Sequence, residues 1–239
     1  MNFTNNDVQW RHEYKYLCDP CQQAVLKARA ESLMQSDPHA DEDGVYRIRS
    51  MYLDGLDNQG YWDNDIGVDE RTKYRIRIYN EDASRIILEK KSKKHGMNHK
   101  DSCRISEELC RTLMAGQIPE IQSDMPTKLK LLLAEIQCKA LHPVVIVEYQ
   151  RTPFVEENGN VRVTFDQEIA SSSDFESFLE PYIFSRPVLK SGLGIMEVKW
   201  DSHLPDYIKR FMQLDTLKWS TFSKYYLCRK YNCHGGSVL

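Results

Sequence analysis

The most constraining feature of this sequence is the segment Arg71–Tyr79, which reads Arg-Thr-Lys-Tyr-Arg-Ile-Arg-Ile-Tyr. Because successive side chains of a β-strand point to opposite faces, the alternation predicts a strand with one cationic and one apolar face. A helix would scatter the same charges around its axis. Four like charges on one face repel one another, so a polyanion is the natural partner. A solvated face of an ordinary antiparallel sheet explains this segment alone equally well.

Composition bounds the class of protein. The chain has 239 residues, of which 41% are hydrophobic and 28% are charged, as in an ordinary globular protein. The net charge of −3 gives no support for nucleic acid or an anionic membrane as a partner. No segment has the apolar length of a membrane span, and the N-terminus lacks a signal-peptide core. We therefore expect a single cytoplasmic domain over residues 1–239.

Seven cysteines without a secretory signal predict reduced thiols. Cys18 and Cys21 lie where a helix should begin, and a helix N-terminus lowers the pKa of a thiol. Cys228, Cys233 and His234 could in principle complete a zinc site, but Cys-x4-Cys-His is not a standard spacing. Incidental cysteines are favoured over a metal or redox role.

Further patterns complete the predicted layout. Alternation predicts strands over 10–17, 46–54, 85–91, 144–151, 161–169 and 195–200. Helices are predicted from Asp19 to about Ser36 and over 105–115, 128–140, 204–217 and 218–231, with an apolar core stripe of Leu129, Leu132, Leu133 and Ile136. Residues 57–69 and 93–100 are predicted as loops, the second one mobile. A hairpin turn over 156–160 uses the permissive backbone of Gly159.

The charged alternation recurs on several predicted strands. The additional faces are Arg11/Glu13/Lys15, Glu89/Lys91, Tyr149/Arg151, Arg162/Thr164/Asp166 and Glu197/Lys199. One sheet facing water explains two or three such faces, whereas strands that close around a polar interior explain all of them. So many cations cannot be buried without partners, so the interior must be wet and hold anions. Phosphate chains fit best, because arginine forks bind phosphate oxygens bidentately and lysine adds a point charge.

Three carboxylates, Glu13, Glu89 and Glu197, lie among these cations. They cannot bind phosphate directly, but they can hold a divalent cation that bridges to it. Metal, cations and polyphosphate together indicate phosphoryl transfer, in which positioning and charge neutralisation supply most of the catalysis. The sequence has neither a Walker motif nor a Gly-x-Gly-x-x-Gly motif, so neither of those nucleotide sites is expected.

The ordered set of motifs resembles the VTC domain, of the vacuolar transporter chaperone type, over nearly the whole chain. No single motif is specific. The matching segments are Arg11-His-Glu13-Tyr-Lys15-Tyr, Ser50-x-Tyr52-x-Asp54, Lys73-Tyr-Arg75-Ile-Arg77-x-Tyr79, Leu88-Glu89-Lys90-Lys91, Tyr149-Gln-Arg151-Thr-x-Phe154, Arg162-Val-Thr164-Phe-Asp166, Met196-Glu197-Val-Lys199 and Phe222-Ser223-Lys224-Tyr225.

This resemblance implies an α+β triphosphate tunnel fold, of the CYTH-like superfamily, in which about eight antiparallel strands close into a barrel with helices packed outside. It also implies a polyphosphate polymerase that uses Mn²⁺ or Mg²⁺ to transfer the terminal phosphate of a nucleoside triphosphate, such as ATP, to inorganic polyphosphate. Whether the protein forms a homodimer is left open.

The resemblance further implies roles for individual residues. The phosphates would be gripped catalytically by Lys15, Arg75, Arg77, Lys91, Arg151 and Arg162, with help from Lys100, Lys199, Ser223 and Lys224. Glu197 would hold the metal, with Glu89 and Glu13 as further candidates. Arg71 and Lys73 are added from strand parity and not from the family pattern.

Two departures from the family matter. Hydrolytic relatives usually begin with Glu-x-Glu-x-Lys, whereas the first position here is Arg11, which favours a polymerase over a hydrolase. Thr221 stands where a lysine is expected, which weakens the chain-gripping end. A tunnel triphosphatase and a non-catalytic polyphosphate-binding module are the alternatives.

Overall fold

Antiparallel pairing organises the fold, seen here in a computed structural model that describes residues 10–38, 40–41, 43–213 and 217–234, without the side chains of residues 233 and 234. The strands are β1 His12–Cys18, β2 Gln35–Ser36, β3 Tyr46–Asp54, β4 Arg71–Tyr79, β5 Asp82–Lys94, β6 Met97–Ile105, β7 His142–Glu156, β8 Val161–Ser172, β9 Arg186–Pro187 and β10 Gly194–Trp200. The helices are α1 Pro20–Leu33, α2 Gln59–Ile66, α3 Glu107–Met114, α4 Thr127–Cys138, α5 Asp206–Phe211 and α6 Lys224–His234.

Eight of the strands form one curled antiparallel sheet in the order β1-β10-β8-β7-β3-β4-β5-β6, with β2 beside β7 and β9 beside β8. The cationic segment is β4, as predicted, and it lies between β3 and β5. None of the helices in the described ranges is long and apolar enough to cross a membrane. The antiparallel strand pairing and the helices beside it confirm the α+β class and the antiparallel sheet.

The sheet does not close into the continuous barrel that we expected. Within the described residues, β1 and β6 are joined by one antiparallel bridge, Arg11 to Asn98, whose two N–H···O distances are 2.9 Å. Extending this register would set Glu13 opposite Gly96, which lies in the turn between β5 and β6, so the ladder ends there. In the other direction it leads past Trp10, whose ring lies 5.6 Å from that of His99, to residues outside the described ranges.

Helices cover the outer face of the sheet with apolar side chains. On β4 the alternate residues Tyr74, Ile76 and Ile78 are buried in one core cluster. The predicted stripe of α4 belongs to the same cluster, namely Leu129, Leu132, Leu133 and Ile136. Burial on the outside therefore fixes which face of each strand turns inward, because a slip of one residue would exchange the two faces.

Two predicted loops are wrong. Residues 93–100 continue β5 and β6 around a tight turn, in which His95 and Gly96 take positive φ angles of 50° and 74° and donate their amides to Asp69. Residues 57–69 contain α2, because the carboxylate of Asp54 accepts hydrogen bonds from the amides of Gly60 and Tyr61 and satisfies the start of that helix.

The predicted C-terminal helices are shorter than expected. Within the described part of 204–217 the helix spans Asp206–Phe211, and residues 214–216 of that prediction lie outside the described ranges. The tail predicted over 218–231 becomes helical only at Lys224. Extended backbone replaces the predicted helix at Trp219 and Ser220, since Tyr16 bridges to Trp219 and the amide of Ser220 donates to the carbonyl of Lys15 at 2.8 Å.

Gly159 occupies the turn between β7 and β8, as predicted, with φ at 78°. A Cβ atom there would overlap the carbonyl oxygen of His203, whereas Gly67 has a φ of 83° and open space around it.

We expect Gly67→Ala to lower the free energy of unfolding by roughly 1–2 kcal/mol through backbone strain alone. Gly159→Ala should cost a further 1–3 kcal/mol, roughly, for the overlap. Urea unfolding of both variants measures the difference, and equal losses would contradict the described turn.

Candidate functional site

The inner face of the curled sheet encloses a cavity of about 1270 Å³. Nearly every residue that the sequence analysis selected lines it. These residues are Glu13, Lys15, Arg71, Lys73, Arg75, Arg77, Lys91, Lys100, Arg151, Arg162, Glu197, Lys199, Ser223 and Lys224. They come from seven strands and from the N-terminal end of α6. Strand parity therefore brings them together, although their roles remain predictions.

Strand register sets which charged groups face one another. Arg75 on β4 lies opposite Glu89 on β5, and Lys15 on β1 lies opposite Glu197 on β10. These cross-strand pairs place cations and carboxylates within reach without any long loop. Rigid strands fix the side chains more closely than loops would.

Two buried carboxylates and three lysines form what we call the lysine–glutamate cluster, consisting of Glu13, Lys15, Lys91, Glu197 and Lys199. The Nζ atoms of Lys15 and Lys91 each lie 2.8 Å from the carboxylate of Glu13. Lys199 contacts Glu197 directly and lies 3.7 Å from Glu13, and Lys15 lies 3.6 Å from Glu197. The side chains of Glu13 and Glu197 are only 7% and 6% exposed.

The cluster keeps its carboxylates ionised. Burial raises the pKa of Glu197, but Lys199 and Lys15 outweigh it and hold that pKa well below the ordinary value. Burial and Glu197 raise the pKa of Glu13, yet the surrounding lysines lower it overall. For Lys91, burial lowers the pKa to about 8 despite the attraction of Glu13. The two glutamates are therefore anionic oxygen donors.

Glu89 lies in a different environment. It is 2% exposed, and its carboxylate is 2.6 Å from Nε of Arg75 and 3.0 Å from Nζ of Lys100, with Arg77 at 4.0 Å. Burial raises its pKa, but Arg75 and Arg77 bring it below the ordinary value. Glu89 thus holds arginines in place, and a metal-binding role for it stays a prediction.

Asp166 is a site residue that the sequence analysis did not select. It is fully buried, and its two oxygens accept hydrogen bonds from Nε and Nη2 of Arg151 at 2.6 and 2.8 Å, while Nζ of Lys224 lies 2.5 Å away. The sequence could have identified Asp166 through its position on the charged strand face Arg162/Thr164/Asp166. Asp166 therefore ties α6 to β7 and positions two cavity cations.

Tyrosines orient other cations. Tyr149 accepts a hydrogen bond from Arg77 at 3.2 Å, and its ring centroid lies 4.9 Å from Nζ of Lys224. Tyr52 accepts from Arg75 at 3.1 Å. Burial raises the pKa of Tyr52, but the two arginines lower it below the ordinary value. Neutral oxygens thus hold several guanidinium groups without cancelling their charge.

The donor set of the lysine–glutamate cluster fits a divalent cation. Mg²⁺ and similar ions are bound by one or two carboxylates together with phosphate oxygens of a substrate. Thr164, directly opposite Glu197 in the register, adds a buried hydroxyl that lacks a partner within the described residues. No group of three or more His, Cys, Asp or Glu side chains in the described ranges is arranged to hold a metal ion by itself, so phosphate oxygens would have to complete the ligand set.

The cysteines do not form such a site among the residues described. A helix begins at this segment, as predicted, with Asp19 as its N-cap and Cys21 in its first turn. Cys18 is the last residue of β1, and burial raises its thiol pKa to about 11. Cys21 is exposed and Cys228 is buried. The side chains of Cys233 and His234 fall outside the described part, so the zinc alternative stays untested there.

Comparison with solved structures identifies the fold. HpAC1 from Hippeastrum, a candidate adenylyl cyclase with a dominant triphosphatase activity, superimposes with a TM-score of 0.54 at 14% identity and covers 97% of each chain. PH1819 from Pyrococcus horikoshii gives 0.48 at 12% identity, covering 91% of this chain and 97% of the other. The similarity to HpAC1 shows a shared triphosphate tunnel-like fold.

Comparison of the sequence identifies the family. None of the curated proteins matches this chain. The family model of the VTC domain matches residues 10–232, which include every strand and the cavity residues described above. On this evidence the chain belongs to the VTC domain family.

Proposed function

We propose that this protein is a metal-dependent polyphosphate polymerase that transfers the terminal phosphate of a nucleoside triphosphate, such as ATP, to inorganic polyphosphate. The observation that carries the proposal is the convergence of strand-borne arginines and lysines on one cavity, around the ionised pair Glu13 and Glu197. Membership of the VTC family supports it. A cytoplasmic location is part of the same proposal.

Charge exchange would let the cavity accept its substrate. Glu13 and Glu197 would hold Mn²⁺ or Mg²⁺, which supplies positive charge to phosphate oxygens. Lys15, Lys91 and Lys199, which now bind these carboxylates, already point into the cavity where phosphate would lie. Phosphate oxygens would then replace carboxylate oxygens as partners of the lysines, so no buried charge is left unpaired.

The arginines would orient the reacting phosphates. Arg77 donates at present to the neutral oxygens of Ser50 and Tyr149 and lies 4.0 Å from Glu89, so its hydrogen bonds to neutral groups could be exchanged for bonds to phosphate oxygens. In the transfer step, a terminal oxygen of the acceptor chain forms a bond to the γ-phosphorus. The bond from that phosphorus to the bridging oxygen breaks, and the nucleoside diphosphate leaves with the electron pair. Positioning and charge neutralisation by these cations provide the catalysis.

Arg11 favours transfer to a phosphate chain over transfer to water. Hydrolytic relatives resembling this family carry a glutamate at that position. Here the guanidinium of Arg11 lies 2.7 Å from Asp201 and donates to the carbonyl of Asn160 at 2.5 Å. A carboxylate that could help to activate water is therefore replaced by a cation. Triphosphatase activity is the second candidate, because HpAC1 shares the fold and has that dominant activity.

Product analysis tests the proposal. Purified protein incubated with ATP and Mn²⁺ should yield a ladder of polyphosphate chains on a gel that resolves long chains. Free phosphate without chains would reject the polymerase in favour of the triphosphatase. Neither product, together with calorimetric binding of triphosphate, would leave a binding module and reject catalysis.

Glu197→Gln tests the metal-holding role. Because it removes a carboxylate but keeps the shape of the side chain, turnover should fall by about 100-fold or more. Binding of tripolyphosphate in EDTA should be retained or tightened, since one negative charge leaves the cavity. Calorimetry and a coupled turnover assay measure the two effects. Glu107→Gln, on the exposed side of α3, is the control, and unchanged turnover in Glu197→Gln would remove that residue from the metal site.

Arg77→Ala tests whether the guanidinium of Arg77 binds phosphate. We expect tripolyphosphate binding to weaken by about 1.5–3 kcal/mol, the range for a hydrogen bond to a charged group. Arg47→Ala is the matched control, because Arg47 lies on the neighbouring strand β3 with a 62% exposed side chain. Titration calorimetry compares the two variants. Equal affinities would mean that Arg77 does not contact the phosphate.

A further inference from the structure

Charge compensation divides the cavity into two parts. Most of its cations are paired with carboxylates, as in the lysine–glutamate cluster and the contacts of Glu89 and Asp166. Three cations at one end of β4 and β5 are not paired with a carboxylate, namely Arg71, Lys73 and Lys93. We call these three residues the uncompensated cluster.

The contacts of the uncompensated cluster are with neutral groups. Arg71 donates to the carbonyl of Val68 at 2.7 Å, and Lys73 donates to the oxygens of Asn64 and Ser223 at 2.5 and 2.8 Å. Lys93 makes no ion pair within the described ranges. All three line the cavity.

The nearby acid does not neutralise this cluster. Asp69 attracts Arg71 and Lys93, but its oxygens accept hydrogen bonds from the amides of His95 and Gly96. Asp63 attracts Arg71, and Glu13 attracts all three cations. None of these carboxylates forms an ion pair with the cluster among the described contacts. Burial lowers the pKa of Lys73 well below the ordinary value, and repulsion from Lys15 and Arg71 adds to the effect. An incoming anion would relieve this repulsion.

Strand register makes the arrangement costly. Arg71 lies directly opposite Lys93, and Lys73 lies directly opposite Lys91. Like charges directly opposite each other on paired strands are destabilising. Lys91 is offset by Glu13, whose carboxylate lies 2.8 Å away, whereas no carboxylate contacts Arg71, Lys73 or Lys93 among the described residues. Two like-charged pairs on one face of a cavity wall would not be expected in a sheet optimised for stability alone. The next pair, Arg75 and Glu89, has opposite charges.

The row of cations on β4 is longer than a triphosphate. Arg71 and Arg77 are six positions apart on one strand, which corresponds to about 20 Å. A triphosphate bound beside Arg75 and Arg77 therefore leaves the uncompensated cluster free for further phosphates.

We propose that Arg71, Lys73 and Lys93 form a metal-independent subsite for the phosphates of an inorganic polyphosphate chain beyond the first three. The proposal rests on the polymerase function and assigns one part of its cavity to the longer substrate. A nucleoside triphosphate carries metal bridging its phosphates, and metal needs carboxylate ligands. A subsite whose cations contact no carboxylate among the described residues fits the metal-free inorganic chain instead.

Ser223 adds a second polar contact to the subsite. Its hydroxyl oxygen accepts from Lys73 at 2.8 Å and from the amide of Tyr226 at 3.3 Å, so its own proton is free to be donated to an anion. Lys224, the next residue, is bound to Asp166. The subsite therefore begins where the carboxylate-paired cations end.

Chain-length dependence of binding tests this subsite. Calorimetry in EDTA would compare tripolyphosphate with a size-fractionated longer polyphosphate, for the wild type and for Lys73→Met combined with Lys93→Met. We expect the double variant to lose at least about tenfold in affinity for the longer chain, as for one lost charge-assisted hydrogen bond. Its affinity for tripolyphosphate should change by less than about threefold, consistent with intact contacts elsewhere.

Lys94→Met is the matched control, because Lys94 is the next residue along β5 but pairs with Glu70 outside the cavity lining. The double variant should also melt at the same or a higher temperature, since two like-charge pairs are relieved. A lower melting temperature with equal losses for both ligands would indicate a structural role and overturn the subsite.

Other outcomes separate the two proposals. Equal affinities of wild type and double variant for the longer chain would overturn the subsite. Failure of the wild type to bind either phosphate would overturn both the subsite and the polymerase. Length-dependent binding that the double variant loses, without any polymerisation in the product assay, would support the subsite and reject the polymerase.

Discussion

Burying cations next to one another is the constraint on which the rest of this structure depends. Charged groups removed from water need partners, and unpaired ones cost several kcal/mol each, roughly. The protein meets this requirement with a few carboxylates, each shared among several cations. Glu13 forms ion pairs with three lysines, and Glu89 forms ion pairs with Arg75 and Lys100. Asp166 pairs with one cation on β7 and another on α6. Without these shared anions the concave face of the sheet could not form around its own side chains.

Shared carboxylates also allow the cations of the cavity to exchange their ion-pair partners. A cation that is paired in the empty protein can pass to a phosphate oxygen only if its carboxylate finds another positive partner. Glu13 and Glu197 meet that condition together, since both are ionised and adjacent lysines contact both. Asp166 lies in a different situation, because its two oxygens already bind a bidentate arginine. Carboxylates in one cavity therefore divide into those suited to a metal and those that fix a guanidinium.

The period-2 pattern was sufficient to predict seven of the eight strands of the main sheet, because the face of each strand is set by the apolar core on its outer side, but it missed β6. It placed β4 and the inner faces of its neighbours correctly. It could not predict α2, whose start depends on Asp54, or the turn at His95, whose amides are bound by Asp69. The turn depends on a hydrogen bond from a residue 26 positions away in the sequence, and the start of α2 depends on an acid six positions before Gly60, farther away than an N-cap residue lies. Closure failed for a similar reason, since the register at Arg11 runs into that same turn.

The candidate site was predictable to the extent that it follows strand parity. Asp166 was on a recognised face, but sequence alone does not say that an acid on such a face binds a cation rather than water. Its partner Lys224 comes from α6, and only the folded chain brings the two together. Parity alone also suggested a phosphate-binding role for Arg71 and Lys73, which the resemblance to the family did not imply. Like-charged neighbours across paired strands are destabilising, and an anion between them, as in the subsite that we propose, would offset that cost.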